Sequence, residues 1–271
     1  MTDFETFGDV SVEVDDTFVA TVEIHRPPHN YFDLALIQDI ASAFEALDAD
    51  SRCRAIVLCS EGKNFCAGAQ LGGTPRVQSQ ARAPVHSPHS DAPARHLYDE
   101  AVRLFSTKTP VVAAIQGAAI GGGLGLALMP DFRVAAPEAR FAANFARLGF
   151  HHGFGLSVTL PDLVGQQRAM ELLYTGRRIR AEEALEIGLC DKIASLEELR
   201  PVAAEFAAEI ALSAPLAVRS IRETLRGDLP GRIRTATDRE KAEQERLHET
   251  SDFREGVRAM GERRPPNFTG S

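Results

Sequence analysis

The chain has 271 residues, of which 44% are hydrophobic, and it carries a formal net charge of −8. This length and apolar content are enough to bury a substantial core in one large domain, or in one domain with an appendage. The acidic balance is atypical of proteins that bind nucleic acid through its phosphates, and the first residues lack the apolar segment of a secretory signal. We therefore expect a cytoplasmic protein with no nucleic-acid partner.

Alternating apolar residues near the start predict a hairpin, with one strand at Val10–Val14 and the next at Phe18–Ile24. Asp33 is a suitable N-cap for the helix that should follow it, which has leucine, isoleucine and phenylalanine on one face. A short buried strand is predicted at Arg54–Cys59. A strand pair, then a helix and then a strand is the order of an α/β chain.

Residues 72–94 are rich in proline, serine, glycine and histidine, and we interpret them as a surface loop. A helix is predicted from about Arg95 to Ser106. The segment Val111–Met129 is almost entirely apolar, and its length touches the range of a membrane-spanning helix. Because it contains a glycine cluster and lies between two prolines, we interpret it as a buried strand, a turn and a helix, with no membrane partner.

The second half of the chain becomes increasingly helical. A strand is predicted at Phe132–Ala135, an irregular segment at Phe141–Gly155 and a short helix at Leu156–Leu163. The last predicted helices are Glu197–Ala211, Pro215–Leu225 and Ile233–Met260. We therefore divide the chain into a core of residues 1–195 and a C-terminal helical region of residues 196–271.

The cysteines do not form a metal or redox motif. They stand at positions 53, 59, 66 and 190, without the spacing of zinc ligands or of a redox pair. We expect reduced thiols and no metal site.

Two loops that contain glycine each follow a short apolar strand: FCAGAQL at 65–71 and AIGGGLG at 119–125. Glycines at a helix entry leave the first amides unpaired, and two such amides on one carbonyl oxygen form an oxyanion hole. The sequence lacks the lysine of a phosphate-binding loop and the spacing of a dinucleotide fingerprint. Close packing of a helix on a strand explains the glycines equally well, and spacing alone does not decide between these two interpretations.

Several motifs in order resemble those of the crotonase, or enoyl-CoA hydratase/isomerase, family. They are Arg26–Asn30, Phe65–Ala69, Pro110–Gly117, Gly121–Gly123 with Asp131, and Leu173–Gly176 with Ala181, Ala184 and Gly188–Leu189. The resemblance implies an α/β fold of the crotonase type, which is a spiral of ββα units with a C-terminal helical region. It also implies that residues 196–271 serve oligomerisation, in a homotrimer or a hexamer.

The resemblance further implies an acyl-CoA substrate, with coenzyme A present as part of that substrate and no prosthetic group. In the family, two backbone amides hold the thioester oxygen, and the matching residues here are Ala69 and Gly122. The positions that would contact coenzyme A are Ala67 and Leu71 near the adenine, together with Arg26 and Pro28.

The sequence departs from the family at the residues that activate water. Hydratases of the family use two glutamates, and the matching positions here are Gly125 and Phe145. The aspartate that usually follows the AGA sequence is replaced by Gln70. Since general acid–base groups contribute about 10²–10⁴-fold to a rate, the standard hydratase mechanism cannot be carried over.

Three side chains are candidates for a substitute acid or base. His151 and His152 lie in the glycine-containing segment LGFHHGFG at 148–155, and a histidine is a suitable base near neutral pH. Tyr98 is the third, because residues of its helix can face the acyl pocket in relatives. Each has a structural alternative, in which the histidines pack on the loop backbone and the tyrosine belongs to an ordinary amphipathic helix.

Three functions remain open from the sequence. The chain is a hydratase- or isomerase-like enzyme with non-standard acid–base groups, a thioester hydrolase on the same scaffold, or an acyl-CoA-binding relative without catalysis. The missing glutamates favour the second and third functions, and the two intact amide loops favour retention of a binding site.

Overall fold

The computed structural model describes residues 3–69 and 96–271. Gln70, Leu71, the predicted surface loop at 72–94 and the expected helix start at Arg95 lie outside the described residues.

Within the described residues, the strands form a large sheet and a small one. The strands are β1 (Asp3–Phe7), β2 (Val10–Val14), β3 (Val19–Ile24), β4 (Ala55–Ser60), β5 (Val111–Ile115), β6 (Ala118–Ile120), β7 (Phe132–Ala135), β8 (Arg140–Ala142), β9 (Ile179–Arg180) and β10 (Lys192–Ile193). The large sheet has the order β1-β2-β3-β4-β5-β7-β10, and the small one has the order β6-β8-β9. β1, β2 and β3 are antiparallel, whereas the strands from β3 to β10 in the large sheet run parallel.

Helices follow most of the parallel strands, and the C-terminal part is helical throughout. The helices are α1 (Leu34–Ala49), α2 (Leu97–Phe105), α3 (Gly122–Leu128), α4 (Leu156–Val164), α5 (Gln166–Thr175), α6 (Ala181–Glu186), α7 (Leu199–Ala211), α8 (Pro215–Arg226), α9 (Leu229–His248) and α10 (Ser251–Gly261). A short 3-10 helix lies at Ala146–Leu148. The predicted α/β fold is confirmed.

Strand β4 shows why both faces of the large sheet are covered. All six of its residues are buried. Ile56 and Leu58 belong to the apolar cluster that includes α1, whereas Val57 and Cys59 belong to the cluster that includes α7. A parallel strand buried on both faces has a continuous apolar sequence, which is what AIVLC shows.

Helix α1 begins where its cap residue predicts. The Oδ1 atom of Asp33 accepts a hydrogen bond from the amide of Leu36 at 3.0 Å, which pairs one of the free amides of the first turn. The buried face of the helix includes Leu36, Ile40 and Phe44. The N-cap prediction is therefore confirmed.

Two predicted segments were wrong in their boundaries. Two helices, α9 and α10, replace the single helix predicted at Ile233–Met260, because Thr250 caps a new helix by accepting a hydrogen bond from the amide of Phe253 at 3.1 Å. The segment predicted as irregular at Phe141–Gly155 begins with residues of β8, which pairs with β6 and β9. Short strands of this kind have too few residues to show a period.

The apolar segment Val111–Met129 forms β5, β6 and α3, as the strand, turn and helix interpretation predicted. Among the described helices, none is both long and apolar enough by itself to cross a membrane. The pair α7 and α8 passes that test of length and composition only when taken together, and it is bent by 102°.

Candidate functional site

The two glycine-containing loops lie against each other and share backbone hydrogen bonds. The amide of Cys66 donates to the carbonyl oxygen of Ala118 at 2.9 Å, and the amide of Ile120 donates to the carbonyl oxygen of Cys66 at 3.1 Å. A methyl group built on Gly68 would lie 2.7 Å from the carbonyl oxygen of Ile120, and one built on Gly123 would lie 2.1 Å from that of Cys66. Close packing therefore explains the glycines at 68 and 123.

The same contact brings the amide of Gly122, at the entry of α3, close to the first loop. Gly121 has a φ of +59°, and its amide donates to the carbonyl oxygen of Ala142 at 2.8 Å, so that α3 begins at the next residue. Within residues 3–69 and 96–271, neither the Gly122 amide nor the Ala69 amide donates a hydrogen bond. The Cβ position built on Gly68 is 4.0 Å from the Gly122 nitrogen. This arrangement can offer two backbone donors to a single oxygen.

Three phenylalanines, which we call the aromatic wall, line the α3 side of these loops: Phe32, Phe145 and Phe154. All three are buried, and the rings of Phe32 and Phe154 are 5.6 Å apart. A methyl group built on Gly122 would lie 2.2 Å from the ring of Phe32. One built on Gly121 would lie 3.4 Å from the Oδ1 atom of Asn144 and 3.7 Å from the ring of Phe145. The groups beside Gly121 and Gly122 are therefore largely aromatic, with the side-chain oxygen of Asn144 as a polar neighbour.

The aromatic wall also includes or contacts Gly125 and Phe145, the two positions that the resemblance matches to the glutamates of the hydratases. A Cβ atom built on Gly125 would lie 2.6 Å from the Cβ atom of Phe154, so a longer side chain at 125 would overlap this residue. The other position is Phe145 itself. Glycine and phenylalanine cannot accept or donate a proton, so neither position supplies a general acid or base.

The imidazole of His152 contacts a polar side chain of α4. Its Nε2 atom lies 2.8 Å from the Oγ atom of Ser157, and that hydroxyl donates to Glu240 at 2.7 Å. Since the Ser157 proton is directed to Glu240, the imidazole Nε2 is the donor to Ser157 and Nδ1 carries the lone pair. Burial, and then the neighbouring charge of His151, lower the pKa of His152 to about 4.

We expect His152 to make the fold less stable as the pH falls. Because its pKa is lower in the folded state than in the unfolded state, the unfolded chain takes up the proton first. The free energy of unfolding should fall by roughly 1–2 kcal/mol between pH 7 and pH 5 from this group alone. Urea unfolding of the wild type and of His152→Asn at both pH values measures the effect. An equal loss of stability in both proteins would contradict the prediction.

His151 and Tyr98 are also bound by neighbouring groups. The Nδ1 atom of His151 lies 2.8 Å from the carbonyl oxygen of His152, and the two imidazole rings stack with centroids 4.1 Å apart. The hydroxyl of Tyr98 donates to the Oε1 atom of Gln244 at 2.9 Å, and burial raises the pKa of this tyrosine. In the described part of the chain, no hydrogen bond joins these side chains or His152 to Ala69 or Gly122, and their acid–base roles stay predictions.

The positions suggested for coenzyme A contact lie beside the first loop. The amide of Ala67 donates to the carbonyl oxygen of His29 at 2.9 Å. Arg26 forms ion pairs with Asp9 at 2.6 Å and Asp33 at 2.8 Å, so its guanidinium is already engaged. Pro28 is exposed, and Leu71 lies outside the described residues.

Sequence reasoning missed two residues of α9 that contact this site. Glu240 accepts hydrogen bonds from the amides of Gly155 and Ser157, and Gln244 donates to the carbonyl oxygen of His151 at 2.9 Å. They lie more than eighty residues after their partners and look like two polar positions of a long helix. The one available signal is that Gly155 cannot cap α4 with a side chain of its own.

Comparison with known proteins identifies the family. Residues 15–271 match the family model described as enoyl-CoA hydratase/isomerase. The chain is 32% identical to an enoyl-CoA isomerase/hydratase of Mycosarcoma maydis, over 94% of this chain and 93% of the relative. It is 30% identical to the 1,2-epoxyphenylacetyl-CoA isomerase of Escherichia coli, over 93% and 95%. The crystal structure of an enoyl-CoA hydratase/isomerase from Pseudoalteromonas atlantica superposes with a TM-score of 0.84 at 29% identity, over 96% of this chain and 100% of that chain. The chain belongs to the enoyl-CoA hydratase/isomerase family.

Proposed function

We propose that the protein binds an acyl-CoA thioester and places its carbonyl oxygen between the amides of Ala69 and Gly122. The observation that carries this proposal is the contact of the two glycine-containing loops, which leaves both amides without a hydrogen-bond partner in the described residues. Relatives named for reactions of enoyl-CoA and epoxyphenylacetyl-CoA support a thioester substrate. The site needs no ionisable side chain for this task, because backbone donors stabilise negative charge that develops on the oxygen.

The reaction we propose is an isomerisation that begins with proton removal from the carbon next to the thioester carbonyl. It differs from the hydration that paired glutamates catalyse. Two fixed donors stabilise an enolate, and this type of intermediate serves double-bond migration as well as water addition. The phenylalanines at and against the glutamate positions favour a site from which water is excluded. His152, with Nδ1 as its basic nitrogen, is the proposed base.

A second candidate is binding of acyl-CoA without turnover. Two observations favour it: the hydroxyl of Tyr98 already donates to Gln244, and the Nε2 atom of His152 is held by Ser157. Nothing in the described contacts favours the thioester hydrolase.

The test is a panel of saturated and unsaturated acyl-CoA thioesters, with binding measured by calorimetry and products by mass spectrometry and chromatography. Double-bond migration at constant mass supports the isomerase. A gain of one water supports a hydratase, and free coenzyme A supports a hydrolase. Binding without product supports the carrier, and absence of binding across the panel overturns the whole proposal.

We also propose that α8 forms part of an interface between copies of this chain. Leu216, Ile221 and Leu225 are 81%, 59% and 82% exposed, whereas Arg222 of the same helix is buried. Several large apolar side chains exposed on one helix mark an association surface. Leu216→Glu with Leu225→Glu should yield a folded monomer, whereas Leu185→Glu on α6 should keep the wild-type mass in light scattering. An unchanged mass in the double variant would contradict the proposal.

A further inference from the structure

Helix α4 receives its N-terminal cap from a distant part of the chain. Its own N-cap is Gly155, which has no side chain to accept a hydrogen bond from the first turn. Glu240 of α9 replaces that cap. One carboxylate oxygen accepts from the amide of Gly155 at 2.9 Å, and the other accepts from the amide of Ser157 at 3.0 Å and from its hydroxyl at 2.7 Å. Glu240 is fully buried, so these contacts supply the polar partners that its carboxylate requires.

A second side chain of α9 holds the other end of the same segment. Gln244 lies one helical turn after Glu240. It donates to the carbonyl oxygen of His151 and accepts from the hydroxyl of Tyr98, both at 2.9 Å. The segment 151–157 is therefore fixed at both ends by two side chains of one helix face.

Phe154 lies between these two anchors in an unfavourable backbone conformation. Its φ is +62°, in the left-handed region where a bulky residue is rare. Its ring is 1% exposed, packs on Phe32 and lies against Gly125. Such a conformation persists only where the surrounding structure holds it. The hydrogen bonds on both sides of Phe154 provide that restraint.

We propose that Glu240 is a positioning residue that determines the shape of the acyl site. By capping α4, it holds Phe154 in the left-handed conformation and keeps the ring on Gly125, which follows Gly122 by three residues in α3. This inference rests on the proposed function, because it assigns the wall at Gly125 to the acyl group. The expected substrate class is a thioester whose acyl chain is narrow and unbranched close to the carbonyl, because the ring fills the space that a branch would need.

The variant Glu240→Gln keeps the size of the side chain but places an amide group, which donates, against donors of α4. We expect Phe154 to leave Gly125 and the site to accept branched thioesters. The affinity ratio of a 2-methylacyl-CoA to the straight-chain thioester of equal length should rise on the order of tenfold. The matched control is Glu245→Gln on the exposed face of α9, which should keep the wild-type ratio.

A second variant tests the same inference even if Glu240→Gln does not fold. Phe154→Gly suits the left-handed backbone and opens the same space while Glu240 stays in place, so it should raise the same ratio. Hydrogen exchange without ligand gives an independent readout, in which the amides of Gly155 and Ser157 exchange faster in Glu240→Gln than in Glu245→Gln.

The outcomes separate this inference from the proposed function. If the wild type binds straight-chain thioesters and both variants keep its ratio, the role of Glu240 is overturned and the proposed function stands. If the wild type binds no thioester, the proposed function and the specificity role fall together. A raised ratio in Phe154→Gly with an unchanged ratio and unchanged exchange in Glu240→Gln would leave Phe154 as the determinant and exclude Glu240.

Discussion

Replacing Gly68 with alanine should lower kcat/KM by about 10²–10³-fold, which is the usual effect of losing one oxyanion donor. In a chain that binds thioesters without turnover, the corresponding loss is in affinity. Gly68 has a φ of +89°, and the new methyl group would lie 2.7 Å from the backbone oxygen of Ile120. Because that oxygen belongs to the strand that leads into α3, the clash separates the Ala69 amide from the Gly122 amide.

Gly165→Ala is the matched control for this variant. Its φ of +77° imposes a similar backbone cost, but nothing lies within 4 Å of the added methyl group. Both variants should lose about 1–3 kcal/mol of stability from the positive φ alone. Steady-state kinetics or calorimetry with the best thioester of the panel, together with urea unfolding, separates the two effects. An equal kcat/KM or affinity in Gly68→Ala and Gly165→Ala would show that the contact between the two loops does not position the amides.

Replacing Asp131 with asparagine should lower the free energy of unfolding by about 3 kcal/mol, because it leaves two largely buried guanidinium groups without their counter-charge. The carboxylate accepts from Nε of Arg222 at 3.0 Å and from Nε of Arg226 at 2.9 Å. It also accepts from the amide of Val111 at 2.9 Å. Burial lowers the pKa of Arg226 to about 10, so its positive charge is already disfavoured where Asp131 holds it.

Asp162→Asn is the matched control, because it breaks an ion pair that is exposed to solvent. Asp162 and Arg232 are 2.9 Å apart, and about half of each side chain is exposed. Exposed pairs contribute little, so this control should lose about 0.2–1 kcal/mol. Urea unfolding of both variants at pH 7 gives the comparison. If Asp131→Asn lowers the free energy of unfolding no more than Asp162→Asn does, the ion pairs of Asp131 with α8 do not stabilise the fold as we infer.

The sequence predicted the fold best where a local pattern of residues corresponds to a single type of structure. The alternation of β2 and β3, the continuous apolar run of β4 and the cap at Asp33 each appear in the structure as predicted. The glycine clusters left close packing and free amides open as alternatives, and the structure brings the two loops together through Cys66 and Ile120. Each of these features depends on a few residues that are close in sequence.

The surroundings of the free amides could not be predicted in the same way. Phe154 is an ordinary apolar residue in the sequence, and its left-handed backbone and contact with Gly125 arise only from packing. Glu240 and Gln244 are polar positions in a long helix, and no local pattern marks them as hydrogen-bond partners of the segment 151–157. Contacts between residues that are far apart in sequence decide both cases, and periodicity and local motifs do not show which distant residues meet.

The cap that Glu240 places on α4 has a consequence for biosynthesis. Glu240 follows Gly155 by 85 residues, so the ribosome finishes the loop amides and the aromatic wall well before it makes the group that fixes the segment 151–157. At about 5–20 residues per second, the delay is several seconds. During that interval the nascent chain carries the loops and the aromatic wall without the side chain that fixes the segment 151–157.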